Sequence, residues 1–209
     1  MSLILSPEEI RVLGVLMEKD MATPEYYPLS LNALVTGCNQ KSNRDPIVNF
    51  DEATVSAALD SLRAKQLIML HTGSRVTKYA HRASELMNVN NRELAVLCVL
   101  MLRGAQTLNE IKTRTQSLYE FDDLESVEGV LRKLEERGMV AFIERQPGMR
   151  EPRWTHVFLG RPLLPAMSAV DSAPAPASGQ PSLAERVTRL EAEVAGLRAE
   201  LAEFRRQFQ

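Results

Sequence analysis

The sequence predicts a mainly helical α+β fold: two tandem winged helix-turn-helix domains and a C-terminal coiled-coil helix. Three observations carry this expectation. One pattern occurs twice: Glu9-Ile10-Arg11-Val12-Leu13 returns as Glu93-Leu94-Ala95-Val96-Leu97, Ser30-Leu31-Asn32 as Thr107-Leu108-Asn109, and Phe50-Asp51-Glu52 as Phe121-Asp122-Asp123. Each copy reads as three helices and then two β-like segments around a basic, glycine-bearing turn, which is the winged-helix plan. The end of the chain keeps heptad spacing without a slip. The predicted divisions are domain one at 1–83, domain two at 84–165, a linker at 166–181 and the heptad helix at 182–209.

The first helix opens at Ser6-Pro7-Glu8-Glu9, with Ser at the N-cap, Pro in the first turn and Glu three residues after the cap. Ile10, Leu13, Leu16 and Met17 follow at helical spacing, and Leu94, Leu97, Leu100 and Met101 repeat them after a start at Asn90 or Asn91. Ser30 and Thr107 cap short second helices over about 31–38 and 108–115. The third helix opens at Asp51, with Phe50 placed to staple against Val55. It turns Val55, Leu59 and Leu62 inward, as its counterpart turns Val127, Leu131 and Leu134 before stopping near Gly138. The apolar runs 67–70 and 139–143, paired with 76–79 and 153–158, form the two hairpins.

Bulk properties narrow the function classes. The 209 residues carry a formal charge of −2, and 44% are hydrophobic, enough for a packed core. Residues 1–83 balance nine basic against nine acidic side chains, so no broad positive field advertises nucleic acid. The N-terminus lacks the cationic and apolar regions of a signal peptide, and no run reaches transmembrane length. The two cysteines, Cys38 and Cys98, occupy non-equivalent positions, which argues against a disulfide. A soluble cytoplasmic protein is expected. His71, His81 and His156 lack metal-ligand spacing, no phosphate-binding glycine loop occurs, and Cys38 has no evident base. No catalytic residue, metal or cofactor is predicted, and the protein is not expected to be an enzyme. His81 and His156 are equivalent repeat positions, which assigns them a shared structural role.

Several long motifs resemble the bacterial YceH family: residues 23–30 (Thr-Pro-Glu-Tyr-Tyr-Pro-Leu-Ser), 38–46 (Cys-Asn-Gln-Lys-Ser-Asn-Arg-Asp-Pro), 75–79 and 102–107. The resemblance covers about 5–160. It implies paired winged-helix domains and carries no biochemical activity with it.

The copies differ in length. Copy one has seven extra residues before its second helix and five before its third. The second insertion holds Asn39, Gln40, Lys41, Ser42, Asn43 and Arg44, in the turn of the helix-turn-helix. These side-chain types hydrogen-bond base edges and phosphates. Arg63 on the third helix and Arg75 and Lys78 on the wing complete the candidate DNA-binding set, with Lys65 a further exposed cation. Two other readings of the insertion stay open: a solvated structural loop, and a protein-binding loop. In copy two, Asp122, Asp123, Glu125, Glu128, Glu135 and Glu136 crowd the third helix, and each would oppose a phosphate. If DNA is bound, copy one binds it.

In the tail, Leu183, Val187, Leu190, Val194, Leu197, Leu201, Phe204 and Phe208 form the seam. Valines at the a positions with leucines at d favour a parallel pair. Arg186 with Glu191, Glu193 with Arg198, and Glu200 with Arg205 then meet across the seam with opposite signs. A homodimer is the expected assembly, and the other reading is a helix folded back on its own domains. The leading expectation is a DNA-binding transcriptional regulator contacting double-stranded DNA. The alternative is a non-enzymatic protein-interaction or scaffold module on the same fold.

Overall fold

The computed structural model describes residues 3–73, 76–145 and 150–160. Among them are seven α-helices and two small antiparallel sheets. Copy one runs α1 (Pro7–Ala22), a 3-10 turn (Pro24–Tyr26), β1 (Leu29–Ser30), α2 (Leu31–Cys38), α3 (Glu52–Ala64), β2 (Ile68–His71) and β3 (Lys78–His81). A single-turn helix, α4 (Ala83–Leu86), leads into copy two: α5 (Asn91–Arg103), α6 (Leu108–Thr115), α7 (Leu124–Glu136), β4 (Val140–Ile143) and β5 (Arg153–His156). The Leu183 to Phe208 seam and the 166–181 linker lie outside the described residues.

The helix starts follow their caps. Ser6 with Glu9, Asn90 with Glu93, and Thr107 with Glu110 each form a reciprocal capping box. Asp51 and Asp123 accept the backbone N–H groups of Thr54 and Ser126 at 2.8 and 2.7 Å. Third helices α3 and α7 end in the same way. The N–H groups of Leu67 and Met139 donate to Leu62 O and Leu134 O, each at 2.9 Å, around a residue of positive φ. That residue is Gly138 (φ 67°) in copy two and Gln66 (φ 61°) in copy one.

Sheet topology is also shared. The order β1-β3-β2 pairs Leu29 with Tyr79 and Leu70 with Tyr79 across β3. In copy two β4 pairs β5, and the place of β1 is taken by Gln106, whose N–H and O bond Trp154 at 2.9 and 2.7 Å. Strand β1, helix α4 and the 3-10 turn go beyond the elements that the sequence predicts.

One core serves both copies. Helices α1 and α5 pack on each other, with Leu13, Leu16, Leu97 and Leu100 completely buried. Each such leucine contributes about 1.5–3 kcal/mol by leaving water. The crossing is self-complementary. Gly14 and Cys98 are equivalent repeat positions, and the Cys98 thiol donates to Gly14 O at 3.5 Å. A Cβ on Gly14 would stand 2.9 Å from Leu102, so the absent side chain permits the approach. The pairing follows the rule of two-fold interfaces, in which like patches meet.

Candidate nucleic-acid interface

The segment joining α2 to α3 is anchored at both ends and through Asn43, Arg44, Asp45 and Pro46. The Asn39 amide donates to Phe50 O at 2.8 Å, and its Oδ1 accepts the Phe50 N–H at 2.7 Å. From α1, Arg11 donates to Cys38 O at 3.4 Å and to Pro46 O at 2.5 Å. On the α5 side, the Asp45 N–H donates to Leu102 O at 2.9 Å, and Arg103 donates to Asn43 Oδ1. The insertion thus ties its own copy to the other one.

Arg44 corrects the sequence expectation most clearly. Its side chain is fully buried. The guanidinium grips Glu18 with two bonds of 2.9 and 2.6 Å, and donates to Gly37 O at 3.1 Å, Asn43 O at 2.9 Å and Gln40 Oε1 at 2.7 Å. Burial would raise the Glu18 carboxyl, but the Arg44 bonds and charge hold it below its ordinary value. A guanidinium spent on a buried carboxylate is not offered to a phosphate. Lys65 is held likewise: its ammonium lies 2.5 and 2.6 Å from the two Glu9 oxygens.

The other candidates divide. Asn39, Gln40 and Asn43 are engaged internally, whereas Lys41 and Ser42 are exposed. Arg63 is exposed on α3, and Lys78 is half-buried on β3. Arg75 lies outside the described residues. Copy one's described cations fall into two groups. Arg11, Lys19, Arg44, Lys65 and Arg82 each bond a carboxylate or carbonyl. Lys41, Arg63 and Lys78 make no side-chain hydrogen bond or ion pair among the described residues. These three sit on the inter-helix segment, the third helix and the hairpin.

In copy two, α7 carries exposed Glu125, Glu128 and Glu136 behind exposed Asp122 and Asp123. Arg132 is held by Glu128 and Glu135 at 3.3 and 3.1 Å, and its guanidinium lies over Trp154 and Phe142, 5.0 and 5.4 Å from the ring centres. Beside α3, a groove of about 660 Å³ is lined by Ile4, Leu5, Thr54, Ala57, Ala58 and Ser61.

A family model described as a protein of unknown function, DUF480, matches residues 5–149. The chain belongs to the DUF480 family. Its relatives include a UPF0502 protein of Solibacter usitatus, 50% identical over 206 residues that cover 98% of each chain. Another from Pelobacter propionicus is 48% identical over 209 residues, covering 99% of this chain and 95% of the relative. A third, from Aeromonas hydrophila, is 44% identical over 208 residues, covering 96% of this chain and 94% of the relative. Membership in DUF480 carries no activity with it, so function rests on the chemistry of the chain's own surfaces.

The histidines and cysteines have structural surroundings. The His81 and His156 rings accept the N–H of the residue two positions on, Ala83 at 3.2 Å and Phe158 at 3.3 Å, each through Nδ1. Cys38 and Cys98 are free and buried, and burial pushes the Cys38 thiol up to about 12. Among the described residues, no group of three or more His, Cys, Asp or Glu is disposed to hold a metal ion, and no helix is long and apolar enough to cross a membrane. Sequence reasoning misses Glu18, Arg103 and Arg11 as partners of the insertion. No local motif marks them.

Proposed function

We propose that the chain is a DNA-binding, regulator-type cytoplasmic protein built from two winged-helix units and paired through its C-terminal heptad helix. The first unit makes the DNA contact. In this reading α3 occupies the major groove, β2–β3 is the wing, and α2 crosses the backbone. The carrying observation is the division of the cations. In copy one, the described cations with no internal partner among the described residues fall on the three elements that the winged plan turns toward DNA. The contact set becomes Lys41, Arg63 and Lys78, joined by Arg75 from its place in the hairpin sequence, with Arg44 and the internally engaged Asn39, Gln40 and Asn43 removed.

Salt dependence tests it. Genomic fragments enriched by the purified full chain are titrated by fluorescence anisotropy at several salt concentrations. Four phosphate contacts per chain give a log–log slope of about −3.6, and a pair of chains twice that. The triple variant Lys41→Ala/Arg63→Ala/Lys78→Ala flattens the slope to the roughly −0.9 per chain that Arg75 alone leaves. An unenriched pool, or a slope unmoved by the triple variant, removes the reading. Sedimentation of the full chain against a 1–165 truncation tests the pairing, and equal monomeric masses remove it.

The groove beside α3 favours a second reading, a protein-docking module. Its lining sets Ile4, Leu5, Ala57 and Ala58 beside Glu8, Glu9 and Lys65, and the exposed face of α3 presents Ala53, Ala57 and Ala64 with Glu52 and Asp60. Under this reading Ala57→Arg abolishes capture of a stoichiometric partner from nuclease-treated extract, while DNA titrations stay flat throughout.

A further inference from the structure

The repeat alignment places a cavity of about 470 Å³ in copy two, at a position that copy one fills with its own chain. Helices α2 and α6 have equal length and equivalent caps, so Gly37 corresponds to Arg114, Asn39 to Gln116 and Gln40 to Ser117. On the first helices, Val15 corresponds to Val99, Glu18 to Leu102 and Lys19 to Arg103. In copy one this space is closed by the insertion: Arg44 lies along Gly37 and ends on Glu18. Copy two lacks the insertion, and the equivalent space is open.

The chemistry of the open space is inverted. The carboxylate that receives Arg44 is replaced by Leu102, and the glycine beside it by Arg114. The cavity has an apolar floor of Cys98, Val99, Leu102 and Leu118 and a rim that includes Arg103, Arg114, Thr113 and Ser117. Its lining carboxylate, Glu18, is already neutralised by Arg44 and, at 3.4 Å, by Lys19. Arg114 shares Glu110 with Arg153, at 3.3 and 3.1 Å. Arg103 has no carboxylate partner among the described residues and is bonded to Asn43 Oδ1. Its guanidinium is held below its ordinary pKa by burial, and then by the nearby Arg114 and Arg44 charges. Two partly buried guanidiniums thus line one space, and only Arg114 has a carboxylate partner among the described residues.

We infer that this cavity is a binding site for a small amphipathic anion, a carboxylate on an apolar body, gripped by Arg103 and Arg114. Copy one holds its own arginine in this position, and copy two accepts a ligand of opposite sign. The volume falls within the range of small-molecule pockets. The apolar floor selects a carbon body over a bare oxyanion, and the guanidinium pair selects carboxylate over a neutral isostere. The site is independent of the DNA reading.

The test is a titration of the isotope-labelled full chain with benzoate, followed by amide NMR. Saturable shifts are expected at 99–103 and 113–118, with weaker or no saturation by benzamide and by inorganic phosphate. Arg103→Gln and Arg114→Gln each weaken benzoate about tenfold or more. Ser117→Asp, an exposed change that adds a negative charge at the rim, weakens it without disturbing the core. Lys133→Gln on α7 leaves it unchanged. Absent saturation, equal binding of benzamide, or equal losses in Lys133→Gln and the arginine variants overturns the inference.

Discussion

The two copies meet the same packing problem beside their second helix with opposite chemistry. Copy one fills the space with a buried arginine on a buried carboxylate, and its insertion is the chain that delivers it. Copy two has leucine where that carboxylate stands, arginine where the adjacent glycine stands, and no insertion to close the gap. Duplication preserved the framework of caps, core leucines and hairpin. It left the space between framework elements free to diverge, and there copy one became a brace and copy two an opening.

The largest expected effect breaks the brace. Arg44→Ala strips Glu18 of its two-bond partner, leaving a largely buried carboxylate with only Lys19 at 3.4 Å. Removing one member of a buried pair costs about 3–5 kcal/mol. Urea denaturation of the single variant should show that loss. The double variant Arg44→Met/Glu18→Leu gives copy one the leucine of copy two, leaves no orphaned charge, and should recover most of the stability. A double variant as unstable as the single one would mean that the insertion is held by its backbone bonds instead, and that the arginine is not the brace.

The same residue marks where local sequence signals run out. Capping boxes, apolar spacing and the glycine after α7 depend on near neighbours in the chain, so the helix starts and the shared core are legible in the sequence alone. Strand β1 is two residues long and gains its partner from β3 across the chain, so no periodicity reveals it. The insertion is legible as different but not as internal. Its Asn, Gln, Lys and Arg composition serves a DNA surface and a braced loop equally. Only the long-range placement of Glu18 and Leu102 separates the two. Telling paired cations from unpaired ones needs the same distant partners, which is why composition alone groups Arg44 with Lys41 and Arg63.

The second effect sharpens the comparison through an equivalent pair. His156 is buried, and burial lowers its pKa to about 4. His81 is also lowered by burial, but Asp20, 3.1 Å away, opposes the shift. Copy two has Gly104 at the position of Asp20. A histidine with a depressed folded pKa binds fewer protons than in the unfolded chain. Its stability is therefore complete above about pH 6.5 and is lost as pH falls toward about 4, by at most about 3 kcal/mol. His156→Asn keeps an acceptor for the Phe158 N–H and does not titrate. It should flatten stability between pH 6.5 and 4 more than His81→Asn does. A larger flattening from His81→Asn would show that Asp20 does not offset the burial of His81.

The smallest effect concerns a helix end that copy two terminates with glycine and copy one does not. Gln66 and Gly138 both follow a third helix with positive φ, and the flanking hydrogen bonds are the same. A side chain in the left-handed region costs about 1–2 kcal/mol, which glycine avoids. Glycine also adds freedom to the unfolded chain, which returns part of that gain. Gln66 is exposed, so its replacement gives up no packing. Gln66→Gly should raise stability by about 0.5–1 kcal/mol, and Gly138→Gln should lower it by a similar amount. Opposite signs at equivalent positions would establish that the two terminations are energetically interchangeable. If Gln66→Gly is instead destabilising, the glutamine contributes an interaction specific to copy one, and the likeness of the copies stops at the backbone.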